Sequence, residues 1–326
     1  MMAGKSVVAD VVIPVYKPDD KFARLIKGLA GQSEKPEKLI IMYTRAFDGD
    51  RMDLKYLKPL EDICEVEVHE LDKSRFDHGG TRAEAAGYST ADIMIMMTMD
   101  AVPYDSHLIE ELTAPFSDDK VGASYARQMP DEHSSLAERF TRGFNYPDKM
   151  RIKGREDIKE LGIKAFFCSN VCAAYRKEVY DKLGGFIKRT IFNEDMIFAH
   201  KLIMSGYKIC YAAGARVIHT HEYTPGQQFH RNFDLAVSQA MHPEVFKGIS
   251  SESEGVKYIK AAYRYFNKKG KGYLIIPFVY GCCFKYLGFL LGKNHKHLPR
   301  SLVRACAMNK EFFSQGGSHA GSEQQQ

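Results

Sequence analysis

The sequence predicts an α/β fold, a mostly parallel sheet flanked by helices and continued by a basic helical extension. Three observations carry that expectation. Apolar runs of strand length alternate with helix-spaced stretches through the first hundred residues. At 326 residues and 44% hydrophobic, the chain can bury a substantial core. Towards the C-terminus helical spacing takes over, and residues 255–310 hold twelve Lys or Arg without one Asp or Glu.

Residues 7–16, Val7-Val8-Ala9-Asp10-Val11-Val12-Ile13-Pro14-Val15-Tyr16, read as a short buried strand. Phe22, Leu25, Ile26 and Leu29 then give residues 21–30 a helical apolar stripe. Residues 38–43 form a second strand and 65–71 a third, alternating one. Residues 81–88 are helix-like, and the apolar run 93–99 ends abruptly at Asp100. Strand, helix, strand in this rhythm implies parallel pairing, and such sheets bind ligands outside the carboxyl ends of their strands. That edge would carry Pro14 to Tyr16, Thr44, residues 72–82 and Asp100. Further on, 166–175 and 216–219 read as strands, and 193–205 as a helix stopped by Gly206. In the extension, Ile259, Ala262, Tyr263 and Phe266 share one helical face, with Lys257, Lys260, Arg264 and Lys268 opposite. Residues 272–292 are apolar but interrupted by Pro277 and Lys285, which favours seating in a membrane interface over a clean span; packing on the body or a second subunit is the alternative. Residues 314–326 read as a disordered tail.

Composition narrows the function. Without residues 255–310 the chain holds 34 basic against 41 acidic residues, a charge of −7. An acidic body suits a site that handles cations, and a basic, aromatic segment suits anionic lipid heads or phosphates. Nucleic acid is a rival for that segment but not an expected partner. Seven cysteines with no CxxC pair point to reduced thiols rather than a zinc or disulfide framework. Residues 1–10 show no apolar run behind a basic start, which predicts a cytoplasmic protein. No GxGxxG follows the first strand and no GxxxxGK[ST] occurs, so dinucleotide and P-loop readings lose their best support.

Several residues could carry chemistry. Asp100 places a carboxylate at the end of a buried strand, as a metal or phosphate group would need, or it starts a turn before Pro103. Glu194 and Asp195 follow Asn193 in an N-cap pattern; they either compensate the helix dipole or supply a general base. His219 and His221 alternate at a strand end and so point the same way, as metal ligands or as packed residues. Carboxylate with imidazole suits Mn²⁺ or Mg²⁺. Asp77-His78-Gly79-Gly80-Thr81-Arg82 offers a pyrophosphate cradle at a helix start, or only surface glycines.

These pieces follow one order: Val12-Ile13-Pro14-Val15-Tyr16, Phe76 to Arg82, Met99-Asp100-Ala101-Val102-Pro103, Tyr125-Ala126-Arg127-Gln128-Met129-Pro130, Asn145-Tyr146-Pro147, Cys168-Ser169-Asn170, Asn193-Glu194-Asp195 and His219-Thr220-His221-Glu222-Tyr223. The series resembles the family 2 glycosyltransferases, most closely their bacterial rhamnosyltransferase branch, across roughly residues 7–310. The resemblance implies a GT-A fold over residues 1–245, with a nucleotide-sugar half up to about residue 130 and an acceptor half at 131–245, then a helical extension over 246–313. It implies Pro14 and Tyr16 near the nucleotide, and Asp77, His78, Gly79, Arg82 and Arg127 around the rest of the donor. Asp100, His219 and His221 take the metal positions, Asp195 that of the base, and Glu194 stands beside it near the acceptor. Two departures stand out. The usual Asp-x-Asp is Asp100-Ala101-Val102, and the acidic cluster after the second strand is replaced by Tyr43-Thr44-Arg45.

The implied reaction is inverting sugar transfer with Mn²⁺ or Mg²⁺, from dTDP-rhamnose to a saccharide or lipid-linked saccharide in cell-surface polysaccharide synthesis. The implied place is the inner face of the plasma membrane, contacted through residues 255–310, with a homodimer as a further expectation. Two rivals are a non-catalytic scaffold homologue and a sugar nucleotidyltransferase. Pro14-Val15-Tyr16-Lys17-Pro18, where the latter would need a glycine-rich phosphate loop, disfavours it.

Overall fold

The computed structural model describes residues 8–247 and 252–313. The tail at 314–326 lies outside the described residues. The chain forms two compact units, the first of Met1–Ser134, Thr141–Arg189 and Glu194–Thr220, the second of Ser135–Phe140, Thr190–Asn193 and His221–Gln326.

The first unit holds a nine-stranded sheet: β1 (Ala9–Val15), β2 (Lys38–Arg45), β3 (Glu65–Asp72), β4 (Ile93–Met97), β5 (Val102–Pro103), β6 (Val121–Met129), β7 (Arg151–Lys153), β8 (Cys172–Arg176) and β9 (Lys208–Ile218). Their order is β3-β2-β1-β4-β8-β6-β9-β5, with β7 also on β9. The expected parallel sheet is the β3-β2-β1-β4 half. β8 runs against both β4 and β6, and β6 and β9 are parallel again. β4 is buried throughout and β1 nearly so, which is why their apolar runs show no alternation. Helix α1 (Asp20–Ala30) is started by Asp19, whose carboxylate accepts from the Lys21 and Phe22 amides, and it buries the stripe Phe22, Leu25, Ile26 and Leu29. Helices α2 (His78–Ala86) and α3 (Glu194–Met204) complete the part of this unit that frames the site.

The structure corrects several expected boundaries. Helix α2 begins at His78, not at Thr81, because the Asp77 carboxylate accepts the Gly80 N–H at 2.6 Å and caps the turn. The Gly79-Gly80 pair is therefore ordered first-turn helix rather than a loose cradle; a Cβ on Gly80 would lie 2.5 Å from Asp77 Oδ2. The strand expected at 166–175 starts only at Cys172. Gly162–Phe166 is a 3₁₀ turn, and the Asn170 and Cys172 amides are engaged by Asp195 and by the Ser169 carbonyl, not by a ladder. The strand expected at 216–219 starts at Lys208, since its Ala212-Ala213-Gly214-Ala215 stretch lacks the β-branched residues that announce a strand. β6 was hidden by Ser124, Arg127 and Gln128 within an otherwise apolar segment.

In the second unit, helix α4 (Pro225–Met241) opens with a reciprocal cap between Thr224 and Gln227. Helices α5 (Glu252–Lys268), α6 (Ile275–Lys293) and α7 (Arg300–Cys306) follow. α6 lies along α4 so closely that a Cβ at Gly288 or Gly292 would stand 2.2 or 2.3 Å from the Phe229 or Phe233 carbonyl oxygen. Pro277 does not break α6, because it sits in the first turn, where its missing N–H has no partner to lose. Phe140, Tyr258, Tyr265, Phe266 and Phe278 form one aromatic cluster. The inward face of α5 is thus Ala262 and Phe266 with Tyr258 and Tyr265; Tyr263, read on the same face as Ala262 and Phe266, is 52% exposed because it lies a quarter-turn round.

Candidate active site

The site is assembled at the carboxyl ends of β1, β4, β6 and β9. β1 delivers Pro14 and then Tyr16, whose N–H approaches the Met99 sulfur at 3.5 Å. Lys17 follows in the left-handed region, φ 50°, a sharp exit that leaves the Tyr16 ring partly open to solvent. β4 delivers Asp100 shortly past its last residue, Met97.

Next to Asp100 stands His219, just past the end of β9, its Nε2 3.5 Å from Asp100 Oδ2. The other ring nitrogen, Nδ1, lies 3.0 Å from Gln128 Oε1. That amide is held in one orientation: its oxygen also accepts from Arg142, and its nitrogen donates to Ser169 Oγ at 3.1 Å. An amide oxygen only accepts, so Nδ1 carries the hydrogen and, in the neutral ring, Nε2 turns its lone pair towards Asp100. A lone pair facing a carboxylate is repulsive without a cation or proton between them. One donor atom each from Asp100, His219 and His221 lies within 4.8 Å of the other two. One carboxylate and two imidazoles form a donor set that fits Mn²⁺ more closely than the all-oxygen preference of Mg²⁺.

The acid pair starts α3. Glu194 is buried; its Oε1 accepts from Asn170 Nδ2 at 3.2 Å and faces Arg82 at 3.3 Å. Asp195 is half-buried and accepts from the Asn170 N–H at 3.2 Å and the Met196 N–H at 2.7 Å. The Tyr175 hydroxyl donates to Asn170 Oδ1 at 2.8 Å, so one buried asparagine fixes both carboxylates. Their protonation is split. Burial first, then the adjacent Glu194 charge, pushes Asp195 up to about 7. Burial works the same way on Glu194, but Arg82, then His78 and the Asn170 amide, outweigh it and hold Glu194 below the usual carboxylate range. Glu194 is an anchored charge; Asp195 is a carboxylate poised to take a proton near neutrality.

Ser169 and Asn170 join the two halves. Ser169 touches the Gln128 that orients His219, and its neighbour Asn170 holds the acid pair. Neither they nor Gln128 and Tyr175 were singled out individually from the sequence, although the first three fall inside the Arg127-Gln128 and Cys168-Ser169-Asn170 segments. Among the expected donor contacts, Asp77 is engaged as a helix cap and by the Arg189 N–H at 2.7 Å. Arg82 is turned inward to Glu194 and to the His78 carbonyl. The buried Nε of Arg127, like that of Arg82, finds no hydrogen-bond partner among the described residues, but Arg127 differs in having no carboxylate partner there. After β2, where Tyr43-Thr44-Arg45 replaces acids, carboxylates return from elsewhere: Asp50 accepts from the Tyr43 hydroxyl at 2.8 Å, and Asp72 pairs with Arg45.

Residues 10–184 match the family model Glycosyl transferase family 2. The chain is 34% identical to the O-antigen chain rhamnosyltransferase RfbN of Salmonella typhimurium over 93% of its own length and 95% of the relative's. It is 33% identical, with the same coverage, to the O-antigen chain rhamnosyltransferase WbaN of Salmonella anatum. Its fold is that of a Pyrobaculum calidifontis mannosyltransferase solved with GDP-Man and Mn²⁺, at TM-score 0.60 and 13% identity, covering 90% of this chain and 87% of that one.

Proposed function

The chain belongs to glycosyl transferase family 2 and is a glycosyltransferase with a GT-A-like fold, and from that premise we propose an inverting rhamnosyltransferase of cell-surface polysaccharide synthesis. Its donor in this reading is dTDP-rhamnose, and its acceptor is a saccharide, most simply a lipid-linked one presented at the cytoplasmic face of the plasma membrane. The observation that carries the reading is the divided acid pair, one carboxylate locked to Arg82 and the other raised towards neutral pH. An inverting transferase needs such a base. The relatives' names supply the sugar.

In the proposed step, Asp195 takes the proton of the acceptor hydroxyl. The hydroxyl oxygen attacks the anomeric carbon while the bond to the diphosphate breaks on the opposite face, so the configuration inverts and the electron pair leaves with the diphosphate. Arg127 is the side chain we assign to the negative charge of that leaving group; Arg82 serves Glu194 instead. Pro14 and Tyr16 border the nucleotide. Asp100, His219 and His221 would hold a divalent cation, Mn²⁺ by their chemistry, which when bound neutralises diphosphate charge. Gln128 keeps the His219 tautomer that such binding requires.

Calorimetric titration with nucleoside diphosphates and their sugars, with and without Mn²⁺, tests the donor. Binding of dTDP and dTDP-rhamnose strengthened by Mn²⁺, together with transfer lost in Asp195→Asn, is expected. Preference for UDP would replace the sugar, and full transfer by the Asn variant would remove Asp195 as the base.

A further inference from the structure

We propose that the outward face of α6 docks the protein onto an anionic lipid bilayer, with the helix lying in the interface and not crossing it. Five of the exposed large apolar residues recur at helical spacing: Tyr273, Ile276, Tyr280, Leu287 and Leu290 are 65, 75, 57, 49 and 45% exposed, with Tyr286, 59% exposed, on their flank. They form one apolar stripe along Gly272–Lys293, whose most apolar 18-residue window has a mean hydropathy of 1.8 and few fully buried residues. Tyrosine rings with an apolar body and a polar tip suit the level of lipid headgroups.

Charge selects the occupant. Lys271 stands at the start of the stripe, Lys293, Lys296 and Arg300 at its end, and no acid occurs from residue 255 to 310. A second copy seated on the same face would bring two such acid-free segments together, whereas anionic headgroups would neutralise them. The length would allow a crossing, but the other side of α6 forbids one. Gly288 and Gly292 are pressed against the α4 backbone, and α4 carries His230, Arg231 and Asp234, which would be carried into hydrocarbon. An amphipathic seat a few ångströms deep satisfies both sides.

The chain contains no tryptophan, so Ile276→Trp in the full-length protein is a silent-background reporter. Its emission should shift to the blue and be quenched by brominated lipid when vesicles of phosphatidylcholine with phosphatidylglycerol are added. Binding to pure phosphatidylcholine, or in high salt, should be at least about tenfold weaker. Ile276→Glu/Tyr280→Glu/Leu287→Glu should no longer float with the anionic vesicles while keeping its circular dichroism and its nucleotide titration. If that variant misfolds, Lys271→Gln/Lys293→Gln/Lys296→Gln carries the same test, with flotation expected to drop about tenfold. An unshifted emission spectrum of the Ile276→Trp reporter, undiminished flotation of both variants, or resistance to alkaline carbonate extraction overturns the proposal. So does a wild-type dimer that the Glu variant converts to monomer without any lipid binding. Nucleotide titration reads the transferase independently, so failure of one reading leaves the other standing.

Discussion

Asp195→Asn removes the carboxylate that the proposed transfer reaction uses as its base while keeping its shape. With the carboxylate raised to about 7, roughly half is proton-free at pH 7 and about nine-tenths at pH 8. The value of kcat/KM for the wild type should therefore climb about tenfold per pH unit below pH 6 and level off above pH 8. The Asn variant should lose about 10²- to 10⁴-fold in kcat, the usual worth of a general base, with nucleotide-sugar affinity unchanged. Stability should move the other way. The folded state raises this carboxyl above its unfolded value, so it favours the protonated form, and stability is lost as pH rises between the two values. Asparagine carries no charge, so the variant should melt higher than wild type at pH 8, with the gain shrinking as pH falls through 7 towards 4. Steady-state rates over pH 5–9 and thermal melts at both ends of that range are the assays. An acidic limb near pH 4, or an Asn variant that keeps more than about a tenth of the wild-type rate, would refute the assignment.

Gln128→Leu should weaken apparent Mn²⁺ affinity in the transfer assay by about 10- to 100-fold, because His219 loses the partner that fixes its tautomer; unchanged affinity would mean that the ring is oriented by something else. Asn170→Ala leaves Glu194 and the Tyr175 hydroxyl short of a buried partner, at a cost of about 1–3 kcal/mol read by urea denaturation. Its kcat should also fall while nucleotide binding is retained. On α6, Gly288→Ala should destabilise by about 1–3 kcal/mol, since its new carbon meets the Phe229 carbonyl. Gly281→Ala on the same helix meets nothing within 4 Å and should be neutral or stabilising by up to about 1 kcal/mol; equal effects would show that the close helix approach is not what the glycine serves.

Much of the catalytic frame was legible in the sequence because its signals are local. The apolar run Ile93–Met97 shortly before Asp100 reads as a strand buried on both faces, and the stripe Phe22, Leu25, Ile26 and Leu29 reads as one side of a helix. Polar residues placed directly after such runs announced the site edge, and their order along the chain announced the family before any contact was known. β6 escaped because Ser124, Arg127 and Gln128 break its pattern, and a residue recruited to a site is chosen for chemistry rather than for period.

Other assignments could not be made from spacing. Arg82 and Arg127 are both basic residues beside the expected site, and only packing turned Arg82 inward to Glu194. Nothing in Asn193-Glu194-Asp195 says which acid is locked and which is raised; that asymmetry arises from Arg82, His78 and Asn170, which lie 24 or more residues earlier in the chain. Tyr263 and Tyr265 are equally aromatic, yet one faces solvent and the other joins the cluster with Phe140. The sequence by itself determined the fold class, the strands β1 and β4 that carry part of the site and the residue types available for chemistry, because periodicity and strand ends are short-range properties. Only the tertiary structure decided charge state, tautomer and orientation, because those depend on fields and hydrogen bonds from residues brought together by folding.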